Sequence, residues 1–317
     1  MSNMRVSQLI PHLEKFWLRQ DQDEWVHNQT LLCGLNLGLQ ETLLYLNSAK
    51  PSLEQFEQWV LARNGGSLDP LLVDRLNDGI AGKLPSNDGS IEPVLTPEDL
   101  AFWEANGYVI LHDAVPAADA SAAAAAIYES LDAPPDDPDT WYRKKVGHTI
   151  WVPLMHHRVL YANRHSPRIH AAFAQIWGRT DLWVNTDQSG FNPPERHDWK
   201  FPGPYLHWDS SLALPLTFGT QGILYLTDTA ADQGAFQCVP GFHHKLEAWL
   251  RDLPADADPR QQDLSAEAKP IAGRAGDLII WHHQLPHGSS PNRAERPRVV
   301  QYLNLRPSQW DYNPVWK

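Results

Sequence analysis

The sequence predicts a mainly β protein, a sandwich or barrel core with helices packed outside it, preceded by an N-terminal helical region. Three observations predict it. Helix-period apolar spacing fills the first third of the chain, a linker-like stretch ends it, and short strand-like runs separated by Pro-, Gly- and Asn-rich turns dominate downstream.

In order, Val6 to Arg19 and Glu24 to Leu46 each carry helix-period apolar residues, the second with Leu31, Leu32, Leu35, Leu37, Leu43 and Leu44. Ser52 and Gln55 form a capping-box pattern that starts a helix running to Asn64, where Gly65-Gly66 stop it. A short helix fits Pro70 to Asn77. The stretch Pro85-Ser86-Asn87-Asp88-Gly89-Ser90 reads as a linker, which divides the chain into a helical region, 1–92, and a second domain, 93–317. Thr96-Pro97-Glu98-Asp99 starts a helix with proline in its first turn, and Asn106-Gly107 ends it before a strand over Tyr108 to Leu111. Alanine content makes Ala117 to Leu131 a helix. Strands are expected over 182–185, 222–226, 235–239, 277–281 and 299–303.

Composition narrows the function classes without choosing one. The 317 residues carry a formal net charge of −12, which repels nucleic acid and anionic lipid, and the densest basic stretch is only Arg143-Lys144-Lys145. Two cysteines, Cys33 and Cys238, exclude a disulfide scaffold and a four-cysteine zinc site. The first residues lack the apolar region of a secretion signal, and no apolar stretch is long enough to span a bilayer. The expectation is a cytoplasmic protein acting on a small molecule, with neither nucleic-acid nor membrane partners. Apolar faces on the N-terminal helices could serve a homodimer.

Chemistry concentrates in Pro204-Tyr205-Leu206-His207-Trp208-Asp209. On a strand, residues two apart project from one face, so His207 and Asp209 can converge on one cation while Trp208 points into the core. With 15 histidines and 38 acidic residues, about two His-x-acid matches arise by accident, and the chain has two. The other, His12-Leu13-Glu14, falls in a predicted helix, where such residues do not face each other. A histidine-rich segment then follows Gly276-Asp277, offering His282, His283 or His287 as a third ligand. Two histidines and one carboxylate on one face of an octahedral ion, with the other positions open, are the ligand signature of non-haem iron(II) oxygenases. His287 fits best because Arg298 follows it on a strand. Its planar guanidinium can grip a carboxylate with two parallel hydrogen bonds, and Ser289 adds a hydroxyl; Arg293 and Arg296 are near enough to compete for that role.

From about Leu95 to Arg306 the chain resembles the phytanoyl-CoA dioxygenase family of iron(II)/2-oxoglutarate oxygenases. The motifs that carry the resemblance are Asn106-Gly107-Tyr108-Val109-Ile110-Leu111, His207-Trp208-Asp209, Val239-Pro240-Gly241-Phe242-His243, and Gly276-Asp277 leading to His287-Gly288-Ser289 and Arg298. The resemblance implies a double-stranded β-helix (jelly-roll, cupin-like) core. It also implies Fe(II) on His207, Asp209 and His287, 2-oxoglutarate held by Arg298 and Ser289, and O2 as oxidant. His243 belongs to a turn motif. Family members related to halogenases replace the carboxylate ligand with a small residue; Asp209 therefore favours hydroxylation or a related oxidation over halogenation, and the expected reaction is hydroxylation of an unactivated C–H, with release of succinate and CO2. A cupin-like metalloenzyme without 2-oxoglutarate, or a non-catalytic binding module, are the alternatives. If the segment before the metal motif is extended, Gln188, Gly190 and Asn192 share a face, and Gln188 and Asn192 could contact co-substrate or substrate; a plain strand end explains them equally. Of the 14 tryptophans, Trp151, Trp183, Trp199, Trp281 and Trp310 are candidates for an apolar pocket or for ordinary packing.

Overall fold

A computed structural model describes residues 5–19, 24–87, 91–143 and 150–317. Residues 1–4, the 88–90 end of the linker-like stretch, and Lys144-Lys145 of the basic stretch lie outside the described residues.

The N-terminal region is helical, with two corrections to the expected elements. Val6 to Arg19 is not one helix but α1 (Val6–Leu9) and α2 (His12–Leu18). Pro11 supplies no amide hydrogen and its ring crowds the preceding turn, so the break falls at Ile10-Pro11. Glu24 to Leu46 is likewise two helices, α3 (Trp25–Gly34) and α4 (Leu39–Ala49). Here Gly34 lets the backbone approach Leu76, whose Cδ1 would lie 2.7 Å from an added Cβ, and Asn36 takes a left-handed φ of 51°. α5 (Leu53–Arg63) opens with the expected capping box: Ser52 Oγ accepts from Gln55 N at 3.2 Å and Gln55 Oε1 accepts from Ser52 N at 2.8 Å. α6 (Pro70–Ile80) runs three residues past the expected end. Ile10, Leu13, Leu31, Leu35, Phe56 and Leu76 form the core of this unit.

The second part begins with α7 (Pro97–Asn106), capped by Thr96 and Asp99 and ended by Gly107. β1 (Tyr108–Leu111) and α8 (Ala117–Leu131) follow as expected. Next come β2 (Trp151–Val152), then α9 (Arg158–Arg164) and α10 (Pro167–Trp177), two helices absent from the sequence reading. The remaining elements are β3 (Leu182–Val184), β4 (Ser189–Asn192), β5 (Thr220–Tyr225), β6 (Phe236–Cys238), α11 (Leu246–Asp252), β7 (Lys269–Ile271), β8 (Leu278–His282), β9 (His287–Ser289), β10 (Arg298–Leu303) and β11 (Leu305–Pro307).

All strand pairs are antiparallel. A six-stranded sheet has the order β1-β8-β5-β10-β4-β2 and faces a three-stranded sheet, β7-β6-β9; β3 and β11 form a ribbon. This is the jelly-roll core with flanking helices that the sequence led us to expect. Alternate residues of the large sheet serve two different cores. Leu224, Leu278, Ile280, Val299 and Leu303 pack against Ala123 and Ile127 of α8 and Phe173 of α10. Ile223, Tyr225, Ile279, Trp281 and Val300 turn inward against Phe236 and Cys238 of the small sheet. A sheet covered on both faces reads as unbroken apolar runs, and against them a charge such as Arg298 stands out.

The helical unit is joined to the barrel through Trp183 of β3, which is 3% exposed and belongs to the core of the helical unit. Hydrogen bonds from Thr30 Oγ1 to Ser308 O (3.3 Å), from Thr186 Oγ1 to Asn36 Oδ1 (2.8 Å) and between His156 Nε2 and Glu41 Oε1 (2.5 Å) cross the same junction. Among the described residues no helix is long and apolar enough to cross a membrane.

Candidate metal centre

The structure brings His207, Asp209 and His287 together, with one ligand atom from each lying within 4.8 Å of the others. The expected strand over 204–209 is not formed. Only His207 pairs, in an isolated antiparallel bridge with His287 of β9. The two residues exchange main-chain hydrogen bonds, His207 N to His287 O at 2.9 Å and His287 N to His207 O at 3.1 Å. The strand stops there because Arg260 takes the carbonyls that a neighbour would need, donating from Nη1 to Trp208 O (2.7 Å) and from Nη2 to Ser210 O (2.8 Å). Trp208 turns into the core against Phe242 and Trp249 as expected, and its indole N–H donates to Gln284 O. Directly bridged residues project from one face, so the two imidazoles meet with centroids 4.7 Å apart. Gly288 permits the approach: a Cβ there would lie 2.2 Å from Tyr205 O.

The protonation pattern fits a cation at this point. Nδ1 of His207 lies 2.7 Å from Tyr205 O and Nδ1 of His287 lies 2.9 Å from Leu285 O. Each Nδ1 must carry the hydrogen to make that bond, which leaves the Nε2 lone pairs turned to Asp209, at 3.4 Å from Oδ1 and 3.3 Å from Oδ2. Two lone pairs facing a carboxylate repel it unless a positive charge lies between them. When a proton on Nε2, rather than a cation, fills that gap, the imidazoles donate to Asp209; burial raises the Asp209 carboxyl, but these hydrogen bonds from His207 and His287 outweigh it and hold the group well below the usual carboxylate range. Burial lowers His207, yet the adjacent Asp209 raises it overall. The donors are one hard oxygen and two imidazole nitrogens, a set suited to divalent iron.

A cavity of roughly 140 Å³ extends from these ligands. Ser289 and Tyr302 line it, and Arg298 lies behind them, fully buried, donating from Nη1 to Ser289 Oγ (3.0 Å) and from Nη2 to Tyr302 Oη (3.3 Å). Its Nε has no partner, and no carboxylate among the described residues pairs with it. A buried guanidinium in that state is short of an anion. Arg296, its sequence competitor, sits at the surface on Pro135 O and Asp136. Ile223, Phe236 and Trp281 make the walls dry.

Other sequence candidates fall elsewhere. Asn192 does not reach this cavity: it is buried, with Nδ2 donating to Ser290 O at 3.2 Å and Gly234 packed against its amide. Gln188 lies at the rim of a second, larger cleft, with its amide on Gln40. His283 Nε2 is 2.6 Å from Thr217 O, and the His282 ring lies between Trp103 and Phe218. Burial, and then neighbouring imidazoles, push His282 down to about 2; burial pushes His283 down to about 4. His243 contacts Glu104 O in a turn. Trp151 and Trp281 line the metal cavity and Trp310 the larger cleft, whereas Trp183 is packed in the helical core and Trp199 stacks edge-on with Tyr142.

Sequence reasoning missed the support around the ligands. Gln221 Nε2 donates to Asp209 Oδ2 at 2.6 Å, and its Oε1 accepts from Trp281 Nε1 at 3.2 Å. A polar residue near the head of an otherwise apolar strand was the available signal. Tyr302, four residues past Arg298 and so on the same face, was another. Nothing local announced that residues of the helical unit such as Trp25, Leu37 and Gln40 form one wall of the larger cleft, about 920 Å³, that opens beside Asp209.

The phytanoyl-CoA dioxygenase family model matches residues 103–300. A Dictyostelium discoideum protein named "Putative phytanoyl-CoA dioxygenase" is 22% identical over 260 residues, 65% of this chain and 74% of that protein. An ectoine dioxygenase of Bordetella bronchiseptica is 24% identical over 178 residues, 47% of this chain and 56% of the relative, so the match spans little more than half of that enzyme. The solved structure of the epimerase SnoN, determined with Fe3+ and alpha ketoglutarate, superposes with a TM-score of 0.50 at 17% identity over 68% of this chain and 85% of the other, a likeness of fold.

Proposed function

The chain belongs to the phytanoyl-CoA dioxygenase family, and we propose that it is an iron(II)/2-oxoglutarate-dependent dioxygenase that hydroxylates an unactivated C–H of a small molecule. The observation that carries this reading is the buried Arg298, without a carboxylate partner among the described residues, directly behind Ser289 and Tyr302 of the same cavity that holds the three clustered ligands. His207 and His287 present Nε2 lone pairs, and Asp209 supplies the anionic donor. Arg298 and Ser289 take the distal carboxylate of 2-oxoglutarate, the guanidinium by paired hydrogen bonds. When bound, the iron couples decarboxylation of 2-oxoglutarate, to succinate and CO2, with oxidation of substrate by O2. Gln221 holds Asp209 in place, and Ile223, Phe236 and Trp281 keep bulk water out. Because residue 209 is a carboxylate rather than a small residue, no ligand position is left for a halide, which favours hydroxylation. The catalytic unit is residues 93–317, and the described residues of the 1–92 region pack on it as a helical unit. Exposed Leu43 and Leu71 on that unit are the surface on which a homodimer would rest.

Anaerobic titration with iron(II) and 2-oxoglutarate should produce the weak visible charge-transfer band of the ternary complex. His207→Ala and Asp209→Ala should abolish both the band and succinate release. Near-normal turnover in either variant would remove the ligand assignment.

A further inference from the structure

The metal cavity and the larger cleft share a rim that includes Trp151, Asp187, Asp209, Gln221, Asn304 and Arg306. Arg306 is the one cation on that rim. It lies on β11, whose ladder with β3 fixes the backbone, and its guanidinium is stacked 5.3 Å from the Trp310 ring. Its Nε is buried with no hydrogen-bond partner, and no ion pair reaches it from the described residues. Asp187, on the same rim, supplies compensating charge at a distance, but no hydrogen bond or ion pair joins it to Arg306; its oxygens accept from Gln188 N at 2.7 Å (Oδ1) and Asn185 Nδ2 at 3.1 Å (Oδ2). A half-buried guanidinium with an unsatisfied Nε and no directly bonded anion, facing a cavity, is a ready partner for a bound carboxylate. Beyond the rim the cleft is lined by Trp25, Leu37, Leu39, Trp177 and Phe218, a surface for an apolar or aromatic body.

We infer that Arg306 is the head-group anchor of the substrate, which is an apolar or aromatic carboxylate whose body lies in the cleft. The inference rests on the oxygenase reading above, since it orients that substrate toward Asp209. Arg298 is reserved for 2-oxoglutarate; the two guanidiniums therefore divide two carboxylates between them.

The test uses the full chain with iron(II) and saturating 2-oxoglutarate under anaerobic conditions, titrated calorimetrically with 4-phenylbutyrate and with its neutral amide. The acid should bind at least tenfold more tightly than the amide. Arg306→Gln should erase that preference and Arg306→Lys should keep part of it, while both variants bind 2-oxoglutarate as the wild type does. Equal binding of acid and amide, a preference that survives Arg306→Gln, or no binding of the acid would each overturn the inference. Failure of the oxygenase reading is separately visible, as absence of 2-oxoglutarate binding to the wild type. If Arg306→Gln does not fold, the Arg306→Lys comparison decides the matter, since it keeps the charge but replaces the planar fork with a single ammonium: a reduced preference for the acid supports the inference and an undiminished one overturns it.

Discussion

Gly288 is where the metal centre is most exposed to a small change. Its backbone is in an ordinary strand conformation, so alanine is objectionable only for its methyl group, which would lie 2.2 Å from Tyr205 O and 2.7 Å from the Tyr205 carbonyl carbon. Carbon and oxygen normally approach to about 3.3 Å, so Gly288→Ala must push the two segments apart by roughly 1 Å. Three main-chain hydrogen bonds cross that gap: the two between His207 and His287, and Ser289 N to Pro204 O at 3.1 Å. Lengthened by roughly 1 Å they fall outside hydrogen-bond range, and at about 1 kcal/mol each the loss approaches about 3 kcal/mol. The ligand atoms move with the backbone, whereas metal sites tolerate only about 0.2 Å. Iron(II) affinity should therefore fall by about tenfold to a hundredfold. Chemical denaturation of the metal-free protein and an anaerobic iron titration measure the two effects separately. Wild-type iron affinity in Gly288→Ala would refute the claim that the bridge sets the spacing of the two imidazoles.

Three further outcomes are expected. Arg298→Met should raise the KM for 2-oxoglutarate about a hundredfold or more, yet leave the melting temperature of the co-substrate-free protein unchanged or higher, because it removes a buried charge that lacks an anion; a large loss of stability would mark Arg298 as structural. Gln221→Ala should weaken iron binding about tenfold by releasing Asp209, with 2-oxoglutarate affinity at saturating iron preserved. His282 and His283 are buried and held neutral, with pKa values pushed down to about 2 and about 4 from 6.5, so the unfolded chain takes up protons that the folded one does not. Stability of the metal-free protein should fall as pH drops below about 6.5, down to about 4 for His283 and further for His282; His282→Gln should flatten part of that slope in urea melts, and an unchanged slope would show the ring is protonated in the fold.

Legibility in the sequence followed how local each determinant is. The capping box at Ser52, the proline-marked helix start at Thr96-Pro97, the alanine-rich helix and the apolar strands β5, β8 and β10 are written in neighbouring residues and were readable. Pro167 at a helix start and Gly178 just past its end carried the same kind of signal for α10, and it was overlooked among the short strands. β9 was out of reach, because three residues become a strand only through pairing with Cys238 and its neighbours. At the site, His207, Asp209, His287 and Arg298 stood out by type and spacing. Expecting a strand through Asp209 went astray because Arg260, about 50 positions away, claims the carbonyls involved. Asn192 shared the right parity but lies on the part of β4 roofed by Ser290 and Gly234. The larger cleft was illegible, since one of its walls comes from the helical unit, whose contact with the barrel is a matter of tertiary packing.

The indole of residue 183 ties the two parts of the chain to a single fate. It grows from a barrel ribbon yet is sheltered by leucines of the N-terminal helices, with the Arg75 guanidinium 4.3 Å from its ring. Trimming the protein at residue 93 would leave a greasy saddle facing solvent and strip one wall from the larger cleft beside Asp209. Such a fragment should clump on expression, and grafting helices from another chain would need a matching socket for that one ring before it could alter what the enzyme accepts.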